Sequence, residues 1–283
     1  LDNRSNALFA IVMNALFLWD LQYMYKLKNW LNDNSDLIEG WFNTVNKFEA
    51  FCSFANFNYN HPNFAIPTLS AKTVLKAKEL GHPLLPAHTR VTSDFDLDDL
   101  NQFTIITGAN MAGKSTFLRS VGVNLVLASA GAPCCAKYGQ VTNLTIFTSM
   151  RTQDNLMKGV SSFFAELSRI EKMLKLIESN QNIYFLLDEM FKGTNSEDRY
   201  RGGYSLINQI SKLQTSGIIA THDIELAKLS EKNKLVTNYS FNSEIIDNSM
   251  IFSYKLDPNI CHDFNASELM KNSGIKILEN ISD

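Results

Sequence analysis

An excess of positive charge is missing from this 283-residue chain, and the absence narrows what it can bind unaided. Lysine and arginine total 26 against 29 acidic residues, for a net charge of -3. There is no general basic footprint for nucleic acid, so any such contact must be local or lie on other parts of a longer protein. Cysteine is scarce as well. Cys52, Cys134, Cys135 and Cys261 show no C-x-x-C spacing and no companion histidines at ligand spacing. That argues against a zinc site or a disulfide frame, and reduced, buried thiols in a cytoplasmic protein are expected. The apolar stretch Ala7 to Trp19 is only 13 residues long and is broken by Asn14. It falls short of the roughly 20 residues a membrane span needs and suits a buried helix better. No signal peptide, internal repeat or low-complexity segment is visible. Residue 1 is Leu, and a longer parent chain is expected.

Hydrophobic residues make up 45% of the chain, enough for a sizeable core. The first 60 or so residues read as two helices. Leu8, Ile11, Ala15 and Leu18 recur at helical spacing, and the polar run Asn32-Asp33-Asn34-Ser35 is expected to break the segment. Ile38, Trp41, Val45, Phe48, Cys52 and Ala55 then alternate steps of three and four, the stripe of a packing seam. Two antiparallel helices joined by a short polar loop are expected. Pro62, Pro67, Gly81, Pro83 and Pro86 mark a boundary near residue 70, giving a helical segment over 1–70 and a second domain over 71–283. Beyond it strands are predicted at 91–97, 103–107, 144–150, 183–188, 217–221, 234–241 and 250–256. Helices are predicted at 114–130, 161–178, 198–213 and 224–230, with a last one from Asn265. Such alternation implies an α/β domain with a largely parallel sheet.

One segment carries explicit chemistry. Gly108-Ala109-Asn110-Met111-Ala112-Gly113-Lys114-Ser115-Thr116 fits the phosphate-cradling pattern G-x-x-x-x-G-K-[ST]. It lies between the strand Phe103–Thr107 and a helix with Phe117, Val121, Leu125 and Ala128 along one face. Glycines let the backbone turn so that successive N–H groups point at phosphate oxygens. Lys114 brings charge to the β and γ phosphates, and the Ser115 hydroxyl can ligate Mg²⁺. The segment therefore predicts binding of a nucleoside triphosphate. A glycine turn before an ordinary helix is the plainer reading.

Hydrolysis needs more, and Ile183-Tyr184-Phe185-Leu186-Leu187-Asp188-Glu189 supplies it. A continuous apolar run reads as a strand buried on both faces. At its carboxyl end Asp188 can hold the Mg²⁺ shell, and Glu189 can orient or deprotonate the attacking water. Two solvated acids capping a strand would be the plain alternative. His222 follows the apolar strand Gly217–Thr221, on the side where ligands bind in open α/β sheets, and could sense the γ-phosphate.

With these residues in place the chain resembles the MutS mismatch-repair ATPases. The Asn110-Met111 pair inside the loop is similar to that family's phosphate loop. Four further segments resemble it in order: Ser161-Ser162-Phe163-Phe164-Ala165-Glu166, Leu187-Asp188-Glu189, Gly193-Thr194-Asn195-Ser196 and Ala220-Thr221-His222. Gly81-His82-Pro83-Leu84-Leu85 resembles the entry to the ATPase domain, and Asn265 to Lys271 with Gly274-Ile275 resembles its final dimerisation helices. The resemblance implies an ABC-type P-loop nucleotide fold acting as a homodimer, with ATP and Mg²⁺ as ligands and each site completed in trans. Ser161 would face the partner's γ-phosphate from a helix N-terminus, where anions are favoured. Gly193 to Ser196 would cross the interface, and the N-terminal helices would form the base of a lever towards a DNA clamp. DNA would be bound mainly by upstream domains.

The chain departs from the family pattern at Ala112, where glycine is common. Nothing around Arg90-Val91 or Tyr239-Ser240-Phe241 stands out as the usual base-stacking aromatic or histidine. Three functions compete. A mismatch-repair ATPase leads. The same engine acting on branched DNA or other nucleic-acid complexes without mismatch recognition is second. A nucleotide-binding interaction module with little turnover is third, and the intact Asp188-Glu189 pair argues against it.

Overall fold

In the computed structural model, residues 7–71, 75–97, 102–150, 162–179, 182–213, 215–231, 233–246 and 249–259 are described. The chain divides into two compact units, Leu1–Asn60 and His61–Asp283.

The first unit holds two helices, α1 (Ala7–Phe17) and α2 (Trp19–Asn60). The expected break at Asn32–Ser35 is not there: α2 runs through it, with Asn34 bonding its own turn at Trp30 O, 2.7 Å away. The break lies at Leu18, whose φ of 47° takes the chain out of the helix. Asn14 and Asp20 clamp that corner. The Asp20 N–H donates to Asn14 Oδ1 at 2.8 Å, and Asn14 Nδ2 donates to Asp20 Oδ2 at 2.9 Å. Polar side chains here stabilise the bend rather than ending the helix. Among the described residues no single helix is long and apolar enough to cross a membrane; α1 and α2 pass that test only as a pair bent by 74°.

The second unit carries two sheets. In the larger, β4 (Phe103–Gly108), β6 (Thr145–Ser149), β7 (Ile183–Asp188), β8 (Ser216–Ala220), β9 (Val236–Ile246) and β10 (Ser249–Asp257) take the order β10-β9-β4-β8-β7-β6. The pairs β9–β4, β4–β8, β8–β7 and β7–β6 are parallel, and β10 is antiparallel to β9. β4, β7 and β8 are buried along their whole lengths, which explains their unbroken apolar sequence. The smaller sheet was not anticipated. β1 (Thr68–Leu69), β5 (Tyr138–Val141), β2 (Leu75–Leu80) and β3 (Ser93–Leu97) form it in that order, with antiparallel pairing of β2 to both its neighbours. The expected strand at 91–97 therefore belongs here, outside the parallel sheet.

Helices α3 (Lys114–Ser129), α4 (Ser162–Glu178), α5 (Ser196–Ile210) and α6 (Ile224–Ala227) cover the large sheet. Side chains alternate across each strand, so its two faces build two cores. Ile106, Tyr184, Leu186, Ile218 and Ala220 pack with Phe117, Leu118, Val121 and Leu125 of α3, and with Leu75, Phe95 and Leu97 of the small sheet. Phe103, Ile105, Phe185, Leu187 and Ile219 pack with Ile170 and Met173 of α4 and Leu206, Ile207 and Ile210 of α5. Each fully buried side chain of this kind contributes about 1.5–3 kcal/mol. Asn124 of α3 ties the layers by polar contacts. Its Nδ2 donates to Gly81 O at 2.9 Å and Ser120 O at 2.8 Å, while its Oδ1 accepts from the Cys135 N–H at 2.7 Å.

Candidate functional site

Strand register decides which residues meet. Ile106 of β4 stands beside Ala220 of β8, which stands beside Asp188 of β7. The segments leaving those strands start from one edge of the sheet, the side where open α/β sheets bind ligands. Two backbone bonds extend the alignment: Thr221 N–H donates to Ile106 O at 2.9 Å, and Glu189 N–H donates to Ala220 O at 2.8 Å.

The loop after β4 turns sharply. Gly108 has a φ of 148°, and a Cβ there would lie 2.6 Å from Phe241 O of β9, so no side chain fits. Gly113 (φ 114°) precedes α3 with no side-chain cap, leaving the first N–H groups of α3 towards the loop. Such an unsatisfied helix N-terminus favours anions. Lys114 is 4% exposed, and its ammonium donates to Gly108 O at 2.6 Å and Ala109 O at 2.9 Å. The Ala112 methyl packs into the core beside α3, which accommodates the extra carbon where a glycine was expected. Met111 takes a left-handed backbone (φ 68°) and leaves its side chain 84% exposed.

A cavity of about 240 Å³ opens over this loop, lined by Ala109, Asn110, Met111, Gly113, Lys114, Ser115, Thr116, Arg119, Glu189 and Tyr254. Asp188 and Glu189 are 8% and 7% exposed. Asp188 Oδ1 is buried without a hydrogen-bond partner among the described residues, a costly state for a carboxylate oxygen unless a ligand meets it. Glu189 leaves β7 with a φ of 56° and forms an ion pair through Oε2 with Lys192. His222 Nδ1 lies 4.0 Å from Glu189 Oε1, and His222 Nε2 lies 3.4 Å from Arg199 Nη1. Burial, then the charges of Arg199 and Lys114, lower the His222 pKa, with Asp223 opposing. The ring is therefore neutral at pH 7.

The phosphate loop, Ser115, Asp188, Glu189 and His222 thus gather at one sheet edge. Ser161 and the segment from Asn265 lie outside the described residues. Asn195 of the 193–196 turn caps α5, its Oδ1 accepting the Asp198 N–H at 2.8 Å.

A family model described as MutS domain V matches residues 104–279, from β4 onward. The DNA mismatch repair protein MutS of Clostridium botulinum (strain Okra) is 30% identical over 250 residues, covering 84% of this chain and 26% of that protein. The protein of the same name from Clostridium kluyveri is 33% identical over 203 residues, covering 69% of this chain and 23% of that protein. The chain belongs to the MutS family. It spans about a quarter of the length of these curated relatives.

In this MutS-family chain a second cavity of about 280 Å³ continues from the first, sharing Gly113, Thr116 and Tyr254. Leu80, His82, Val91, Phe117 and Phe241 line it. Three aromatic side chains, Phe117, Phe241 and Tyr254, border it. Tyr254 sits in an irregularity of the β9–β10 pairing with a φ of 53°, its ring 3.3 Å from where a Gly113 Cβ would lie. No local motif announces it, because the bulge in β10 aims it. Arg119 and Lys192 also escaped the sequence reading. Arg119 stands four residues after Ser115, one helical turn along the same face, and that spacing was the available signal.

Proposed function

We propose that the chain is the ATP-binding and ATP-hydrolysing part of a MutS-related protein, with an ABC-type P-loop fold that couples nucleotide state to DNA binding through a homodimer. The observation that carries this is the meeting of Lys114, the α3 N-terminus and Glu189 around one cavity, with Asp188 preceding Glu189 at the end of β7. Triphosphate oxygens would lie against the loop N–H groups and Lys114, and the base in the cavity bordered by Phe241 and Tyr254. Unpartnered Asp188 Oδ1 and the Ser115 hydroxyl fit a hard cation that prefers oxygen ligands, and they would hold Mg²⁺. When bound, Mg²⁺ neutralises charge on the β and γ phosphate oxygens.

The remaining chemistry belongs to the chain. Glu189 orients the attacking water and accepts its proton, a role worth about 10²–10⁴ in rate. Lys114 stabilises negative charge as the bond to the leaving phosphate opens. His222, neutral and next to Glu189, would sense or stabilise the γ-phosphate. Ser161 would complete the site of a second copy. Residues 1–70 would form the base of a lever and 71–283 the ATPase domain with its dimerisation helices. Since the net charge is -3, DNA contacts would come mainly from upstream domains, in a cytoplasmic protein.

Phosphate release by the full-length protein, with no DNA and with duplex, mismatched or branched DNA, tests the reading. Turnover that DNA alters supports it, and the preferred DNA separates mismatch repair from action on branched structures. No ATP binding and no turnover under any of these conditions would rule it out.

A further inference from the structure

The loop after β7 adopts a conformation that its own sequence does not favour. Glu189 and Phe191 both have left-handed backbones, at φ 56° and 59°, and neither is glycine. Such residues persist only when surrounding structure holds them. Phe191 packs its ring on α5, where a Cβ on Gly202 would lie 3.2 Å from it. On the other side stands α4. A Cβ on Gly193 would lie 2.6 Å from Phe163 Cβ, so the first turn of α4 presses directly on the loop backbone.

Glu166 lies three residues beyond Phe163, on the same face of α4. Its Oε1 accepts the Phe191 N–H at 2.5 Å, and the Lys192 N–H also bonds to the carboxylate. Hydrogen bonds from N–H groups to a charged oxygen are among the stronger kinds. The carboxylate is half-buried; burial raises its pKa while those two N–H groups oppose the rise. Lys192 in turn holds Glu189 through its ammonium. A continuous chain of contacts therefore runs from α4 through Glu166 to the backbone at 191–192, and from Lys192 to the Glu189 carboxylate.

We propose that Glu166 is a positioning residue that sets the loop carrying Glu189 and transmits displacement of α4 to it. This rests on the hydrolytic reading of Glu189. Glu166 bonds the loop backbone and does not line the cavity over residues 108–116.

The test uses Glu166→Ala and Glu166→Gln in the intact protein, with Glu171→Ala on the exposed side of α4 as control. Hydrogen exchange at the Phe191 and Lys192 amides should speed up at least about tenfold in Glu166→Ala and stay protected in Glu166→Gln, whose carboxamide oxygen still accepts. In turnover, Glu166→Ala should lower kcat at least about tenfold with KM for ATP within about threefold. Glu166→Gln should recover to within about threefold of wild type, and Glu171→Ala should match wild type. Unchanged exchange at 191–192, equal defects in the two Glu166 variants, or a kcat of Glu166→Ala within twofold of wild type would overturn the proposal. Failure of wild type itself to hydrolyse ATP would instead remove the functional reading, and the exchange data would still decide whether Glu166 holds the loop.

Discussion

Lys192 and Glu189 form an ion pair across three residues, with the carboxylate almost wholly buried and the lysine at the surface. The pair fixes a carboxylate that would otherwise stand desolvated beside a neutral histidine. Lys192→Ala should therefore cost about 1–3 kcal/mol of stability, read by urea denaturation, because a buried charge loses its partner. Lys192→Arg should restore most of it. A destabilisation below about 0.5 kcal/mol in Lys192→Ala would show that solvent already satisfies Glu189.

Asn124 joins α3 to the segments at Gly81 and Cys135 through two hydrogen bonds inside the core, and a third holds it to Ser120 O of its own helix. Asn124→Ala should destabilise the protein by about 2–4 kcal/mol, since it orphans the buried Cys135 N–H and the Gly81 carbonyl. Asn124→Asp should be similarly harmful, because it removes both Nδ2 donors. A chemical melt measures both.

Tyr254 borders both cavities. If its ring stacks on the base, Tyr254→Ala should weaken ATP binding roughly tenfold, about 1–2 kcal/mol, while Tyr254→Phe stays near wild type. Isothermal titration with ATP and with inorganic tripolyphosphate separates the base contribution. Equal losses for the two ligands would place Tyr254 against phosphate instead.

The lowered pKa of His222 carries a pH signature. The unfolded ring takes up a proton near its ordinary 6.5, whereas the folded ring resists until lower pH. Stability should therefore fall as pH drops below about 6.5 towards the folded value, and be flat with respect to this group above it. His82, lowered by burial and by Arg119 and Arg90, adds a slope of the same sign. The difference between wild type and His222→Asn isolates His222. It should stay below about 1 kcal/mol, since the side chain is 38% exposed and partly screened. Melts at pH 5.5 and 7.5 check the sign.

The parts legible in the sequence were those whose chemistry is local. β4, β7 and β8 are buried on both faces, so their apolar runs gave limits within one or two residues of those observed. Gly108 to Thr116 was readable because its backbone geometry demands glycine at fixed positions. The unbroken α2 was not, since the polar run at 32–35 resembles a loop signal while a long exposed helix accepts the same residues. The small sheet was missed because β1, β2 and β5 are short and pair across long separations. Tyr254 and Lys192 reach the site through a strand irregularity and a left-handed turn, neither of which has a residue pattern of its own.

On the proposed reading Glu189 serves hydrolysis while the loop at 108–116 serves binding. The most direct measurement is ATP turnover and equilibrium ATP affinity of Glu189→Gln in the full-length protein. Its kcat should fall at least about a hundredfold while affinity stays within about threefold of wild type. Wild-type turnover in Glu189→Gln, or loss of binding in step with loss of rate, would contradict that reading.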